Sequence, residues 1–302
     1  MKEFFVKDPL SSSAMDIVLL CDQILQSYFA RGFTMSLRQL YYQLIARNTF
    51  PNNEQSYRRL GEIVSRARRA GLLDWDMIVD RGREMHCPEF FAKPQDILQR
   101  AINSFKLDKW ADQKNYIEVM VEKQALEGVL GPVCAKLEVP FMANKGYSSD
   151  SAMYEAGHRM RERHAIGKKR VHVIYLGDMD PSGIDMTRDV GARLRLYSMV
   201  PVEVHRVALN IDQVHHYNLP ENPAKMSDAR AAAYVAEFGE SSWELDALDL
   251  QVIADLVEDK VKSLRDDDRW QSSLRREEQQ REAMADLIEN FTAAETDTTD
   301  LD

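Results

Sequence analysis

The sequence predicts an α/β protein in which a helical N-terminal part precedes a mostly parallel, Rossmann-like sheet. Before residue 72, apolar side chains recur at helical spacing. After residue 115, short β-branched runs are each followed at once by a helical pattern, which is typical of βαβ units. The chain has 302 residues, a length that suits about two domains.

Three short helices are predicted in the N-terminal part. Apolar residues from Met15 to Ala30 indicate the first helix. Ser36 is a suitable N-cap for a second helix from Leu37 to about Arg47. A third helix is expected from Ser56 to Arg69, where Gly71 ends it.

The net charge of -10 is distributed unevenly along the chain. Between Arg31 and Arg83 there are ten Arg, no Lys and five acidic residues, so that 10 - 5 = +5. From Glu237 to the end, seven bases and twenty acids give 7 - 20 = -13. Because guanidinium groups bind phosphate oxygens in pairs, the early segment predicts a phosphate-contacting surface, with a solvated helical face as the alternative.

The arginine-rich third helix, followed by the run Leu72 to Asp80, is typical of a winged helix-turn-helix domain. In such a domain the third helix enters the major groove of DNA. We therefore predict that residues 1–108 form a winged-helix, DNA-binding domain. The candidate DNA contacts are Arg58, Arg59, Arg66, Arg68 and Arg69, together with Lys123 and Lys145 further along the chain.

The strands of the sheet are expected at residues 116–121, 139–143, 171–176 and 202–208. In parallel sheets, ligands bind at the carboxyl ends of the strands, so functional residues should lie just after them. The sequence after Glu240 is helical and acidic. We expect a second domain over residues 109–291 and a disordered acidic tail over 292–302.

Composition excludes several classes of protein. Hydrophobic residues make up 44% and charged residues 29% of the chain, and no apolar run approaches the roughly 18 residues of a membrane span. The first five residues do not resemble a signal peptide. The three cysteines are odd in number and far apart, so we expect a reducing, cytoplasmic environment.

Three carboxylates follow predicted strands. Glu122 comes directly after the first strand, and Asp178 and Asp180 follow the strand that ends at Leu176. Neighbouring strand ends would bring them together, and clustered carboxylates repel one another unless a cation lies among them. Their hard oxygen ligands suit Mg²⁺. For Asp180, which precedes Pro181, a helix N-cap is the alternative.

Two motifs at these positions resemble the Toprim domain. Residues 121–125 read VEKQA and residues 177–183 read GDMDPSG. The pair is similar to the form found in the A subunit of topoisomerase VI and its meiotic double-strand-break relatives, and closest to the miniaturised stand-alone A-subunit-like proteins. The NKGY run at 144–147 resembles a loop of that family, and RQLYY at 38–42 resembles its Arg-x-x-x-Tyr helix.

The resemblance implies a magnesium-dependent enzyme that breaks double-stranded DNA by tyrosine transesterification. Tyr42 would attack the phosphodiester, with Arg38 stabilising the developing charge. Glu122 would serve as general acid or base and as a metal ligand, beside the ligands Asp178 and Asp180. The resemblance also implies a homodimer in which Tyr42 of one protomer serves the acidic site of the other. A separate ATPase subunit would supply any ATP-driven step, since the chain has no Gly-rich ATPase motif.

The helical pattern around Tyr42 can be examined independently. Leu37, Leu40, Tyr41 and Leu44 share one face of the second helix, which predicts Tyr41 in the core. Tyr42 lies well off that face, which predicts an exposed phenol beside a guanidinium. Two alternatives stay open: a Toprim nuclease that cuts with metal-activated water and leaves Tyr42 a surface or DNA-stacking residue, and a non-catalytic DNA-binding module.

Overall fold

The computed structural model describes residues 1–79, 88–144, 146–224 and 230–299, with side chains as far as residue 288. Within these ranges the α-helices are α1 (Ser12–Phe29), α2 (Leu37–Ile45), α3 (Glu54–Arg69), α4 (Pro94–Ser104), α5 (Glu127–Leu137), α6 (Asp150–Ala165), α7 (Pro181–Ser198), α8 (Ile211–Tyr217), α9 (Ala231–Phe238), α10 (Leu250–Leu264) and α11 (Asp267–Thr299). The strands are β1 (Asn115–Val121), β2 (Phe141–Ala143), β3 (Arg170–Leu176), β4 (Val202–Ala208), β5 (Asn222–Pro223) and β6 (Ser241–Ser242). No helix among the described residues has the length and apolar character to cross a membrane.

The main sheet has four parallel strands in the order β2-β1-β3-β4, which confirms the α/β class with a parallel, Rossmann-like sheet. The chain passes from β1 outward to β2 and then returns across β1 to form β3 on its other side. The strand order therefore reverses between β1 and β3. At such a switch point the carboxyl ends of the two strands diverge and leave a crevice for ligands.

Helices cover both faces of the sheet. Helices α6 and α7 pack on one face through Met153, Met160 and Val190. Helices α5 and α10 pack on the other face, where Ile117, Val119 and Ile174 point. The central strands β1 and β3 are buried on both faces, which is why they read as continuous apolar runs, whereas the edge strands β2 and β4 are only partly buried.

The three predicted N-terminal helices are confirmed as α1, α2 and α3. Ser36 caps α2 through a reciprocal capping box with Gln39. Asn53 caps α3, which begins at Glu54, two residues before the expected start. The apolar residues of α1–α3 belong to the same core as β1, α5 and α10. The three N-terminal helices therefore pack against the sheet domain through one continuous hydrophobic core.

The expected wing differs from the structure in its described part. Between Leu72 and Val79 the backbone forms no regular strand, and Ile78 contributes a single bridge to Met35. Trp75 and Ile78 instead accept hydrogen bonds from Arg68 through their carbonyls. Asp80, the last residue of the expected wing, lies outside the described residues.

The C-terminal helix is longer than the sequence pattern indicates. Helix α11 continues through Thr299, beyond the expected start of a disordered tail at Thr292. The residues Ala293, Ala294 and Glu295 are good helix formers, which is a local reason for the helix to continue.

Candidate functional site

Glu122 and Asp178 meet at the switch point between β1 and β3. Glu122 directly follows β1, and its Oε2 accepts a hydrogen bond of 2.9 Å from the backbone N–H of Asp178. A methyl group on Gly177 would lie 2.8 Å from the same carboxylate oxygen, and one on Gly183 would lie 2.2 Å from the Asp178 carbonyl. Both glycines of the GDMDPSG run are therefore required by close approach of the chain.

Asp180 acts as the N-cap of α7. Its Oδ1 accepts hydrogen bonds from the N–H of Gly183 at 2.6 Å and from the hydroxyl of Ser182 at 2.9 Å. This is the alternative role that the sequence left open for it. Its charge still lies near the switch point, because it contributes to raising the pKa of Glu122.

A third acidic segment, absent from the sequence-based predictions, joins the site. Met179 and Trp243 exchange two backbone hydrogen bonds of 2.8 and 2.9 Å, so the chain after β6 runs beside the β3–α7 turn. This placement brings in Glu244 and Asp246, and the N–H of Leu245 donates to Asp178 at 2.8 Å. We call Glu122, Asp178, Asp180, Glu244 and Asp246 together the carboxylate cluster.

Lys123 is the cation of the carboxylate cluster. Its ammonium lies 3.0 Å from Asp178, 2.9 Å from Glu244 and 3.5 Å from Asp246. Burial acts to lower the pKa of Lys123, but these three carboxylates outweigh it and hold the pKa above its usual value. The role of Lys123 as a DNA contact stays a prediction; in the structure its ammonium is already paired with three carboxylates of the same chain.

Tyr42 is buried, and the prediction that it is exposed is wrong. Its side chain is only 4% exposed, because α2 packs against the described chain on more than one side. Its phenol lies beside the Glu244 carboxylate at the wall of one cleft, and Arg38 lies 3.7 Å from the same carboxylate. Burial, followed by the nearby Glu244 carboxylate, raises the pKa of Tyr42 above its usual value.

Tyr42 thus lies beside Glu244 of its own chain. The expected pairing of Tyr42 of one protomer with Glu122, Asp178 and Asp180 of another stays a prediction. Gln39 of α2 also reaches across, donating to the Ala125 carbonyl at 3.4 Å. A cleft of about 190 Å³, lined in part by Arg38, Tyr42, Tyr57 and Glu244, opens beside the phenol.

Glu122 holds its proton more tightly than an ordinary glutamate. Burial, followed by the charges of Asp178 and Asp180, raises its pKa to about 7. The pKa of Asp178 is also raised, first by burial, although Lys123 and the N–H of Leu245 oppose this. At neutral pH the carboxylate of Glu122 can therefore both hold and release a proton.

The oxygen donors have the right chemistry for Mg²⁺, but they do not form a finished cage. Five carboxylic groups face the three cations Lys123, Arg38 and Arg206, and a divalent ion would favour the ionised form of those whose pKa is raised. Both carboxylate oxygens of Asp246 are buried without a hydrogen-bond donor among the described residues. However, Glu122, Asp178 and Asp180 do not bring three ligand atoms within 4.8 Å of one another in the described chain.

The arginines of α3 divide into two groups. Arg66 donates to Asp8 at 2.7 Å and Arg69 lies 3.6 Å from the same carboxylate, so both hold the N-terminal segment. Arg68 stacks on Trp75 with its guanidinium 4.3 Å from the ring centroid. Of the five α3 arginines predicted to contact DNA, Arg58 and Arg59 are exposed and take no part in these internal contacts. Arg58 pairs with Glu54 at the surface.

The loop after β2 lies beside Glu122. The N–H of Asn144 donates to the Val121 carbonyl at 2.7 Å, and the N–H of Gly146 donates to the Glu122 carbonyl at 3.3 Å. Tyr147 donates to Asp185 at 2.8 Å. Lys145, a predicted DNA contact in this loop, lies outside the described residues.

The sequence carries only a partial signal for the residues that sequence reasoning missed. Residues 243–249 read WELDALD, and the alternation of apolar and acidic residues over the first four positions interrupts the acidic helix expected for the whole region. In the structure Leu245–Ala247 forms one 3-10 turn with Asp246 buried beside Leu245, which a period of two does not predict. Arg206 gave no signal, because its role depends on contacts with the carbonyls of Gly177 and Asp178.

No protein-family model, curated protein or solved structure matches this chain. Function is therefore inferred from the geometry of the carboxylate cluster and its neighbours.

The raised pKa of Glu122 should make stability depend on pH. The folded protein binds this proton more tightly than the unfolded chain, so ionising Glu122 costs stability as pH rises from about 4.5 to about 7. Glu122→Gln removes that cost while keeping an oxygen for the Asp178 N–H. In metal-free buffer, the unfolding free energy of Glu122→Gln relative to wild type should increase by on the order of 2 kcal/mol between pH 5 and pH 8.

Urea unfolding of both proteins across this pH range measures the difference. Adding Mg²⁺ at pH 8 should reduce the difference in unfolding free energy between the two proteins, because the ion would stabilise the ionised carboxylate of wild type. A difference that stays constant from pH 5 to pH 8 would show that folding does not raise the pKa of Glu122.

Proposed function

We propose that this protein is a magnesium-dependent DNA-cleaving enzyme in which Tyr42 attacks a phosphodiester bond, as the resemblance to the topoisomerase VI A subunit implies. The observation that carries the proposal is the position of the Tyr42 phenol beside Glu244, a member of the carboxylate cluster at the switch point of a parallel sheet. A nucleophile, a base close to it and a group that orients the base are the usual parts of nucleophilic catalysis. Tyr42, Glu244 and Lys123 supply these three parts.

The proposed reaction begins at the phenol. Glu244 accepts the proton of Tyr42 as its oxygen bonds to phosphorus, and Arg38 stabilises the phenolate character that develops. Because Glu244 is a weak base and the pKa of Tyr42 is raised, this proton moves only as the new bond forms. The bond from phosphorus to the leaving deoxyribose oxygen breaks at the same time.

Glu122 is placed to act on the leaving group. With a pKa raised to about 7, its protonated carboxyl can donate a proton to the leaving oxygen at neutral pH. The products are a phosphotyrosyl link on one DNA end and a free hydroxyl on the other. Asp178 and Asp180 would hold Mg²⁺, with Glu122 as a third ligand while it is ionised, and the ion would supply charge neutralisation for the phosphate.

Hydrolysis is the second candidate function, and the burial of Tyr42 favours it. A phenol that is 4% exposed must be uncovered before it reaches phosphorus, a step that hydrolysis does not need. In this variant the same carboxylates serve a metal-activated water and Tyr42 remains structural. A non-catalytic DNA-binding module is the third possibility, and the raised pKa of Glu122 argues against it.

The proposed partner is double-stranded DNA, approached through the exposed side of α3. A homodimer would allow cleavage of both strands, as the resemblance implies, and a separate ATPase subunit would be needed for any strand passage. Tyr42 lies beside Glu244 of its own chain, so Glu244 could act as its base without a second protomer.

Tyr42→Phe distinguishes the two cleavage mechanisms because it removes only the hydroxyl. With supercoiled plasmid and Mg²⁺, followed by a detergent quench, wild type should give broken DNA with protein attached to the ends. Tyr42→Phe should lose both products while DNA affinity stays near wild type. Cleavage by wild type should stop in excess chelator.

Tyr41→Phe is the matched control. Its hydroxyl bonds the carbonyls of Pro51 and Asn53, away from Glu244, so this variant should still cut. If Tyr42→Phe cuts at the wild-type rate and leaves no protein on the ends, covalent attack by Tyr42 is wrong and hydrolysis takes its place.

The two groups of arginines on α3 should differ in DNA affinity. The double change Arg58→Ala and Arg59→Ala removes two exposed cations, so it should weaken binding to any sequence and reduce the slope of log K against log salt by roughly two. Arg66→Ala breaks the contact with Asp8 and should lower stability with little effect on that slope. Fluorescence anisotropy at several salt concentrations measures both, and equal slopes in the double variant and wild type would move the DNA surface away from α3.

A further inference from the structure

A second group of metal-ligand side chains lies on the sheet, apart from the carboxylate cluster. His172 is the third residue of β3, and Glu203 and His205 lie on β4. The strand register pairs His172 with Glu203 and Ile174 with His205. Because neighbours in parallel strands point to the same side, all three side chains share the face covered by α10.

This group is far from the carboxylate cluster. His172 precedes Asp178 by six residues along an extended strand, which corresponds to about 20 Å. The group lies on the first half of β3 and β4, whereas the carboxylate cluster lies beyond the carboxyl end of β3. The two sites therefore use different residues and different edges of the sheet.

The ligand atoms have the spacing of a tetrahedral metal site. His172 Nδ1 lies 3.0 Å from His205 Nε2 and 3.4 Å from Glu203 Oε2, and the latter two atoms are 3.9 Å apart. Ligands at Zn–N and Zn–O bond lengths in a tetrahedron are about 3.3 Å from one another. The average separation in the protein is close to that value before any ion is bound.

A hydrogen-bond chain fixes which nitrogen of His172 is available. Asn115 donates from its amide nitrogen to the Leu264 carbonyl at 2.7 Å, so its amide oxygen faces His172 Nε2 at 3.2 Å. That oxygen can only accept, and Nε2 must therefore carry the proton. The lone pair of Nδ1 then points to His205 and Glu203, the arrangement that a second-layer partner usually gives to a metal-bound histidine.

The surroundings lower the pKa of both histidines and leave the Glu203 side of the group open to solvent. Burial lowers the pKa of His172 and of His205, and the nearby cation Lys260 lowers it further, while Glu203 opposes this. Arg170 adds a further positive charge near His172. His172 is buried, whereas Glu203 is 59% exposed on the edge strand, so an ion can enter from solvent.

We propose that His172, Glu203 and His205 bind one Zn²⁺ ion per chain, with water as the fourth ligand. Two imidazoles and one carboxylate suit zinc, whereas Mg²⁺ prefers oxygen ligands alone. The ion would fasten the edge strand β4 to β3. This proposal is independent of the DNA-cleaving function proposed above, because no residue is shared between the two sites.

Metal content measures the proposal directly. After incubation with ZnCl₂ in the presence of excess Mg²⁺ and removal of free ion by gel filtration, wild type should retain about one zinc per chain. Replacing zinc by CoCl₂ should produce the intense visible absorption of a tetrahedral cobalt site. Asp178→Ala should retain the same zinc content, which separates this site from the carboxylate cluster.

Substitutions of His205 and Glu203, the two ligands nearer to solvent, test the assignment while the buried His172 is left unchanged. His205→Gln and Glu203→Gln should each weaken zinc affinity, the former by roughly 100-fold or more, and should abolish or weaken the cobalt spectrum. The matched control is the double change His215→Gln and His216→Gln, an exposed histidine pair on α8. It should bind zinc as wild type does.

The proposal is overturned if wild type retains no zinc under these conditions. It is also overturned if His205→Gln retains as much zinc as wild type while folded, as judged by circular dichroism. Equal loss of zinc in the His215 and His216 control would place the ion elsewhere.

Discussion

The ammonium of Lys123 is the constraint on which the rest of this structure depends. Lys123 follows β1, yet it pairs with Asp178 after β3 and with Glu244 and Asp246 in the segment after β6. Three remote parts of the chain thereby meet at one charge. Removing the buried charge of Lys123 should lower the free energy of unfolding by several kcal/mol, because its carboxylate partners would then be left in the interior without a cation or water.

The helical part is tied to the same point. Tyr42 and Arg38 of α2 both contact Glu244, which in turn contacts Lys123. The candidate nucleophile is therefore held next to the strand ends within a single chain. A divalent ion that binds Asp178 competes with Lys123 for that carboxylate, so metal binding and the position of Glu244 are linked through one lysine.

Sequence reasoning located the fold and the strand-end carboxylates because these depend on local patterns. The runs over β1, β3 and β4 and the cap at Ser36 fix the order of elements before any packing is known. The exposure of Tyr42 was predicted wrongly because helical periodicity identifies only the apolar face of α2 that packs on the adjacent helices. A second face of α2 is covered by the segment around Glu244, which is two hundred residues away in sequence. The internal contacts of the α3 arginines were not predicted for a similar reason. The pairing of Arg66 with Asp8 depends on where the N-terminal segment packs, which local sequence patterns do not determine.

The most direct test of the central role of Lys123 is a double-mutant cycle of unfolding free energies with Lys123→Met and Glu244→Gln. We expect a coupling energy on the order of 1 to 3 kcal/mol, because each change alone leaves the other group buried without its charged partner. A control cycle of Lys123→Met with Glu54→Gln, which is an exposed residue paired with Arg58, should be additive within about 0.5 kcal/mol. If the cycle with Glu244 is also additive, Lys123 does not join the helical part to the strand ends, and the single-chain site built on it is wrong.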